Sequence, residues 1–312
     1  MADVVISEFM DKGIADCLVA EFDVHWDPDL WGKRQELLEQ ISGAKAIVVR
    51  NATQVNPELL DAAPDLKVVA RMGVGLDNID VDACKARGVE VCPAIGANAV
   101  SVAEYVITTA MILLRGPAYF ATSDVVSGAW DRPKFAGAVE ISGRTMGIVG
   151  FGSIGQVVGA KARGMGMNVI AYDAMMPDDH PAWSDARRVS LDDLVAEADI
   201  VSLHCPKLPE TIDLIAARQF GRMKPGAVLI NSARGGIVNE VACAEALRSG
   251  QIAGAALDTL DVEPITPEVG ALFAGIDNLI LTPHIAGVTK DSNRRIALVA
   301  AENVRRVLGG AS

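Results

Sequence analysis

One short glycine-rich segment constrains the fold of this chain more than any other part of its sequence. The segment GFGSIG (residues 150–155) follows the apolar run TMGIV and precedes a helical stretch. In this strand–turn–helix setting, Gly150 permits a tight turn and Gly152 lets a pyrophosphate approach the backbone. Gly155 lets the helix pack closely against the strand. The segment therefore predicts a doubly wound domain that binds a dinucleotide at a helix N-terminus.

A carboxylate at the end of the next strand narrows the dinucleotide to NAD. The run NVIAYD ends in Asp173, which is placed to accept hydrogen bonds from the adenine ribose hydroxyls. The residues that follow, Ala174-Met175-Met176, supply no arginine for a 2′-phosphate, and the carboxylate would repel one. NAD is therefore favoured over NADP.

Two series of alternating strands and helices set the domain organisation. Their strand-like runs are VVIS, FDVHW, AIVVR, LKVVAR and VEVC in the first series, and TMGIVG, NVIAYD, DIVSLH, AVLIN, AGAALD and LILTPH in the second. Apolar strands alternating with helices are typical of parallel sheets that helices cover on both faces. The tail, Lys290 to Leu308, is again helical and can return to the first domain.

We therefore predict an α/β protein in which a Rossmann NAD-binding domain (residues 99–287) is inserted into a split flavodoxin-like substrate domain. That second domain comprises residues 1–98 plus 288–312, with parallel sheets in both domains and a cleft between them.

Composition excludes several classes of partner. The net charge of −12 repels nucleic acid and anionic membranes, so neither is expected as a partner. The most apolar stretch, Val100 to Leu114, contains Glu104 and is too short to span a bilayer. Five scattered cysteines without metal-ligand spacing, and a start that does not look like a secretory signal, predict a cytoplasmic protein with reduced thiols and no metal.

Three further segments end strands of the second series. They are residues 231–236 (NSARGG), 257–264 (LDTLDVEP) and 282–287 (TPHIAG). In an open α/β sheet, ligands bind at the carboxyl ends of the strands, so the side chains of these segments can converge on one crevice.

With these segments the chain resembles the D-2-hydroxyacid dehydrogenase family nearly end to end. The matching segments are GVGLDNID (73–80), AN…SVAE (97–104), the glycine loop, ARGG (233–236), Glu263-Pro264 and TPH (282–284). The resemblance implies hydride transfer between NAD and C2 of a small 2-hydroxy or 2-keto acid. The expected substrate is an anionic three-carbon acid such as sulfolactate or 3-phosphoglycerate.

The resemblance implies three catalytic residues. His284 would be the general acid/base, since imidazole titrates near neutrality. Glu263 would hydrogen-bond the other ring nitrogen and fix its tautomer, while Arg234 would hold the substrate carboxylate and polarise the C2 oxygen.

The family also implies binding residues and a homodimer. Substrate would contact Gly73, Val74 and Gly75 in addition to Arg234, with the glycines exposing backbone N–H groups. The helix after Ala97 and an aromatic arm, Tyr119, Phe120 and Trp130, would form the dimer interface. NAD would contact Gly150, Gly152, Ser153, Ile154, Gly155, Asp173, Cys205, Pro206, Thr211, Ala233, Asp258 and Ala286.

Several alternatives stay open from the sequence. His204 also ends a strand and is a rival for the base, although the family places the His204-Cys205-Pro206 turn against the cofactor. Cys205 is expected to pack rather than to act as a nucleophile. Tyr105 stands where many members have histidine.

The substrate and the class of function also have alternatives. VVISEFMD (4–11) and CPAIGANAVSVAEYV (92–106) most resemble sulfolactate dehydrogenases within the family, and Arg50 is one candidate for a second anionic group. Hydroxypyruvate or glyoxylate reduction is the alternative activity. A non-catalytic NAD-sensing protein that resembles the corepressors of the superfamily is the alternative of another class.

Overall fold

The structure is a computed structural model that describes residues 2–116, 119 and 121–309. Its fold is α/β, and the chain divides into two compact units at Asn98/Ala99 and at Gly287/Val288. The unit made from both ends of the chain is called the split unit below. The unit from Ala99 to Gly287 is called the inserted unit.

The split unit contains a parallel sheet of five short strands in the order β2-β1-β3-β4-β5. Asn56 caps one of its helices by accepting a hydrogen bond from the Leu59 N–H, and Asp80 caps another through the Ala83 N–H, as their sequence patterns predict. The elements are β1 (Val4–Ile6), α1 (Lys12–Val19), β2 (Val24–Trp26), α2 (Arg34–Ile41), β3 (Ala46–Val49), α3 (Pro57–Ala62), β4 (Val68–Arg71), α4 (Val81–Ala86) and β5 (Glu90–Pro93).

The inserted unit contains a parallel sheet of seven strands. Its elements are α5 (Ala99–Arg115), α6 (Thr122–Val126), β6 (Thr145–Val149), α7 (Ser153–Gly164), β7 (Asn168–Tyr172), β8 (Arg187–Arg188), α8 (Leu191–Glu197), β9 (Ile200–Leu203), α9 (Ala217–Phe220), β10 (Val228–Asn231), α10 (Glu240–Arg248), β11 (Gly254–Leu257), α11 (Pro267–Gly270) and β12 (Leu279–Leu281). The strand order is β12-β11-β10-β9-β6-β7-β8. This order confirms the predicted Rossmann fold.

One strand of this sheet was not predicted. β8 consists of Arg187 and Arg188, both exposed, and pairs with Ile170 and Ala171 of β7. Two charged residues carry neither the apolar run nor the alternation by which a strand is recognised in sequence, so tertiary pairing alone forms it.

The last helix, α12 (Lys290–Leu308), spans the predicted residues and belongs to the split unit. Its buried face, residues 296–304, packs in one apolar cluster with β1, β3 and β4. Thr289 caps its N-terminus by accepting from the Ser292 N–H, and Gly309 ends it in the left-handed conformation.

Both sheets contain a point at which the strand order reverses direction. In the split unit this point lies between β1 and β3, and in the inserted unit it lies between β6 and β9. Ligands of open α/β sheets bind at the carboxyl ends of strands beside such a point. Ligand sites are therefore expected at the residues that follow β1, β3, β6 and β9.

Two further findings concern expectations about surfaces. Within the described residues, no helix combines the length and the apolar composition that a membrane crossing requires. Of the three aromatic residues in the predicted arm, Tyr119 and Trp130 are exposed, and Phe120 lies outside the described residues.

Candidate active site

The glycine turn between β6 and α7 leaves an open space beside a helix N-terminus. Gly150 has a φ of +89°, and a Cβ there would lie 2.6 Å from the Cys205 nitrogen. A Cβ on Gly155 would lie 2.2 Å from the Gly150 oxygen, whereas one on Gly152 would meet no protein atom within 4 Å. Gly152 is also the N-cap of α7, without a side-chain cap. The turn therefore fits the pyrophosphate of a dinucleotide.

Asp173 follows β7 and anchors the glycine turn through its carboxylate. One oxygen accepts from the Phe151 N–H at 2.8 Å, and the other accepts from the N–H groups of Met175 (2.9 Å) and Met176 (3.0 Å). These three bonds fix the carboxylate in place. A ribose hydroxyl would complete its hydrogen bonding, because a carboxylate has about four lone-pair sites.

The same carboxylate lines an open cavity of about 590 Å³ together with Arg187, Arg188 and Ser190. Sequence reasoning missed the two arginines, since they lie on the unpredicted strand β8. Each is paired with a carboxylate, Arg187 with Glu197 and Arg188 with Asp178. The residues that flank Asp173 in sequence supply no arginine, and the two arginines of β8 reach the cavity from a separate strand.

The two residues that directly follow β9, His204 and Cys205, are half-buried and carry no charge near neutrality. The His204 ring accepts or donates one hydrogen bond with the Ser202 hydroxyl at 2.8 Å, and burial lowers its pKa to about 3. Burial likewise raises the pKa of the Cys205 thiol to about 11. A histidine that stays neutral is a poor acid/base, and a protonated thiol is a poor nucleophile. Both properties favour His284 over His204 as the base.

The loop beyond these residues is closed by Thr211. Its hydroxyl accepts from the Leu208 N–H at 2.7 Å and lies 2.8 Å from the Pro206 carbonyl, to which it donates. The structure thereby holds Pro206 and Thr211, two predicted cofactor contacts, in one small loop at the carboxyl end of β9.

Glu263 and His284 form a direct pair. His284 Nδ1 lies 2.8 Å from Glu263 Oε2, and Glu263 Oε1 accepts from the Leu260 N–H at 2.9 Å. Since a carboxylate only accepts, the Nδ1 atom carries a proton and Nε2 is left as the basic nitrogen of the neutral ring. The His284 side chain is 50% exposed, so a substrate can reach it.

The turn that carries His284 is held by Asp258, which is buried after β11. The carboxylate of Asp258 accepts from the Thr282 hydroxyl at 2.6 Å and from the N–H groups of Ile285 and Ala286 at 2.8 Å each. The resemblance implies a cofactor contact for Asp258 and Ala286. The structure shows that they also shape the His284 turn.

Arg234 lies in a loop after β10 that is built by a buried asparagine. The Asn231 side chain accepts from the Ala233 N–H at 3.1 Å and donates to the Arg234 carbonyl at 2.9 Å. A Cβ on Gly235 would lie 1.9 Å from the Leu260 oxygen, so only glycine allows the two loops to approach. Leu260 thus contacts the Arg234 loop and also donates to Glu263.

The predicted substrate residues of the split unit follow β3 and β4. Arg50 donates to the Asn293 side chain at 3.0 Å; burial lowers its pKa, and the charge of Glu8 opposes that shift. Gly73 has a φ of +145°, and its N–H donates to the Arg71 carbonyl at 2.9 Å. The Gly73 N–H is thus bonded within the protein, and the predicted substrate contacts of Gly73, Val74 and Gly75 stay a prediction.

A role for Glu8, which lies at the same edge of the split unit's sheet, was not predicted from the sequence. The carboxylate of Glu8, which is buried, accepts from all four consecutive N–H groups of residues 50–53, at 2.7–3.2 Å.

Among the described residues of the whole chain, no group of three or more His, Cys, Asp or Glu side chains could hold a metal ion.

Comparisons with known proteins agree with this geometry. Residues 108–286 match the family model of the NAD-binding domain of D-isomer specific 2-hydroxyacid dehydrogenases. The chain is 47% identical over 310 residues to the (S)-sulfolactate dehydrogenase of Chromohalobacter salexigens, and the match covers 99% of each chain. It is 41% identical to the D-3-phosphoglycerate dehydrogenase of Mycobacterium leprae, covering 98% of this chain and 57% of that one.

A solved structure extends the likeness to the fold. The D-lactate dehydrogenase of Aquifex aeolicus, complexed with NAD and lactic acid, superposes with a TM-score of 0.82 at 26% identity, covering 98% of this chain and 95% of that one. The chain belongs to the D-isomer specific 2-hydroxyacid dehydrogenase family and contains its NAD-binding domain.

Proposed function

We propose that this chain is an NAD-dependent sulfolactate dehydrogenase, which interconverts sulfolactate and sulfopyruvate. The observation that carries the reaction is the 2.8 Å bond between Glu263 and His284 at the end of the sheet. The substrate rests on 47% identity, over nearly the whole chain, to a protein named (S)-sulfolactate dehydrogenase.

The proposed chemistry assigns one task to each side chain. The glycine turn and Asp173 would hold NAD, which would supply the hydride acceptor for C2 of the hydroxy acid and, in its reduced form, the hydride donor for the keto acid. His284 Nε2 takes the proton of the C2 hydroxyl during oxidation and returns it during reduction. Glu263 holds the ring and stabilises the imidazolium, and Arg234 binds the substrate carboxylate with its planar group of donors.

The (S) descriptor of sulfolactate agrees with a D-specific family. In D-lactate the carboxylate outranks the methyl group, whereas in sulfolactate the sulfur-bearing carbon outranks the carboxylate. Exchanging the second and third priorities changes the letter from R to S without moving any group. (S)-Sulfolactate therefore presents its hydroxyl, hydrogen and carboxylate in the same hand as D-lactate.

Arg50 is the residue that we assign to the sulfonate on C3. Its guanidinium is half-buried and its hydrogen-bond partner Asn293 is a neutral amide. A half-buried cation that has no carboxylate within ion-pair distance among the described residues favours an anionic ligand. Val74 and Gly75, which follow the buried Gly73, supply backbone N–H groups to the same substrate in this proposal.

The test follows NADH oxidation, with NADPH in parallel, against sulfopyruvate, phosphohydroxypyruvate, hydroxypyruvate, glyoxylate and pyruvate. We expect the highest kcat/KM with NADH and sulfopyruvate.

His284→Ala should lower kcat by about 10²–10⁴-fold, which is the usual contribution of a general acid/base. Arg50→Ala should lower kcat/KM for sulfopyruvate by at least about tenfold and leave glyoxylate nearly unaffected, because glyoxylate lacks a second anion.

The ranking of substrates also decides between the alternatives. A preference for hydroxypyruvate or glyoxylate would replace the sulfolactate assignment with a reductase of keto acids that carry no second anionic group. Binding of NADH without turnover of any of the five acids would favour the NAD-sensing protein.

We further propose that the enzyme is a cytoplasmic homodimer. The arm beyond α5 exposes Tyr119 (57%), Val126 (83%) and Trp130 (78%), and such a cluster of apolar side chains is typical of an interface. Light scattering at micromolar concentration should give twice the 32.8 kDa mass of the chain. A monomer mass would overturn the proposal.

A further inference from the structure

Tyr105 lies at one end of a chain of three hydrogen-bonded side chains. It projects from α5, and its hydroxyl oxygen is 2.7 Å from Thr282 Oγ1. Thr282 Oγ1 donates to Asp258 Oδ1 at 2.6 Å. Since a threonine hydroxyl has a single proton and that proton goes to Asp258, Tyr105 must be the donor to Thr282.

The other end of this chain is the turn that carries His284. Asp258 accepts from the N–H groups of Ile285 and Ala286, which directly follow His284. His284 itself has a φ of +55°, a left-handed conformation that non-glycine residues rarely adopt. Such a conformation persists only where surrounding bonds hold it. The bonds to the Asp258 carboxylate hold the turn together with the bond from the His284 N–H to the Asp258 carbonyl at 2.8 Å.

The Tyr105 hydroxyl, which donates the first hydrogen bond of this series, remains a donor at pH values near neutrality. Burial raises the pKa of the Tyr105 phenol to about 12, so the hydroxyl keeps its proton. Hydrogen bonds that share a donor–acceptor chain polarise and strengthen one another. The Tyr105 hydroxyl thus strengthens the bond from Thr282 to Asp258.

We propose that Tyr105 is a positioning residue for the acid/base step, acting through Thr282 and Asp258 on the turn that aims His284. The proposal rests on the proposed function for its kinetic part. It assigns no contact between Tyr105 and the substrate, and it explains why a helix remote in sequence contributes a hydroxyl to this turn.

The first experiment compares Tyr105→Phe with Thr109→Val. Thr109 lies one turn further along α5, and its buried hydroxyl bonds only to helix carbonyls among the partners that the structure shows, those of Tyr105 and Val106. Tyr105→Phe should lower kcat about three- to tenfold, the equivalent of one hydrogen bond, with little change in KM or in the Kd of NADH. Thr109→Val should leave kcat within about twofold of wild type.

A double-mutant cycle tests the route. Thr282→Val should lower kcat at least as much as Tyr105→Phe, and Tyr105→Phe should have no further effect in the Thr282→Val background. Thr282→Ser, which retains the hydroxyl, should restore most of the activity. Additive effects of the two substitutions, or a loss in Tyr105→Phe that appears in KM alone, would overturn the proposal.

Hydrogen exchange separates this proposal from the proposed function. By mass spectrometry, the peptide that contains the Ile285 and Ala286 amides should exchange about threefold or more faster in Tyr105→Phe than in wild type, and at the wild-type rate in Thr109→Val. This readout needs no substrate. Unchanged exchange in Tyr105→Phe would refute the positioning role even in an active enzyme, whereas a wild-type protein without turnover would refute only the function.

Discussion

In both sheets, backbone N–H groups lie beside the point where the strand order reverses. In one sheet a carboxylate of the protein binds them, and in the other a glycine leaves the space beside them open. In the split unit, the loop after β3 turns four consecutive N–H groups toward the point where the strand order reverses, and the carboxylate of Glu8 occupies them. In the inserted unit, the turn after β6, which also lies beside the point where the strand order reverses, has glycine at Gly152, where a Cβ would meet no protein atom within 4 Å. One anion site is filled by the protein, and the other is left open for a ligand.

This difference shows that the sheet topology places backbone N–H donors at these points. Whether a ligand can reach the donors then depends on one side chain. Backbone N–H groups at the carboxyl ends of parallel strands attract an anion in either sheet. Where Glu8 satisfies them, they stabilise the loop that bears Arg50, and in our proposal the anion is bound by the side chain of Arg50 instead. Where glycine leaves them uncovered, the backbone itself is the proposed binding site.

The largest expected effect tests the filled site. Glu8→Ala should lower the free energy of unfolding by about 2–4 kcal/mol, because it removes the acceptor of four N–H groups, of which that of Thr53 is buried. Urea unfolding followed by circular dichroism would measure it. Glu36→Ala, at an exposed position on α2, is the control and should change stability by less than about 0.5 kcal/mol.

If the two substitutions had equal effects, Glu8 would not be the structural anion that the comparison requires. Glu8→Gln should fall between wild type and Glu8→Ala. Its amide oxygen can still accept, while its NH₂ group turns a donor toward other donors.

The smaller effect tests the open site. Gly152→Ala has ordinary backbone angles available, since φ there is −74°, so the variant should unfold like wild type. The added methyl group would occupy the space that the pyrophosphate needs, and NADH should bind about 10–100-fold more weakly in a fluorescence titration.

Gly150→Ala is the matched contrast for this prediction. A Cβ there would clash with the backbone at Cys205, and φ is +89°, so the variant should lose stability as well as NADH affinity. Wild-type affinity in Gly152→Ala would show that the open space beside Gly152 is not where the cofactor binds.

The sequence predicted those parts of the fold that local patterns determine. The glycine turn with the helix that follows it and the range of α12 both depend on residues close together in the chain. Such signals act through backbone conformation and capping, so they are readable from neighbouring residues.

The parts that sequence reasoning missed depend on residues distant in the chain. Glu8 carries no distinguishing signal in the sequence, because its role depends on hydrogen bonds to residues 50–53. Arg187 and Arg188 line the Asp173 cavity only because β8 pairs with β7. Tyr105 was visible as a departure from the family pattern, but its bond to Thr282 spans 177 positions. Long-range hydrogen bonds of this kind leave no periodic trace in a sequence.

The place of α12 in the split unit sets an order of events during synthesis on the ribosome. Strands β1, β3 and β4 emerge first, yet the apolar face that residues 296–304 cover stays open until the whole inserted unit has been translated. The inserted unit can fold while the earlier strands still wait for their last helix. A nascent chain of this kind exposes Val4, Ile6 and Val48 for most of its translation, which makes it a natural client for chaperones that bind hydrophobic segments.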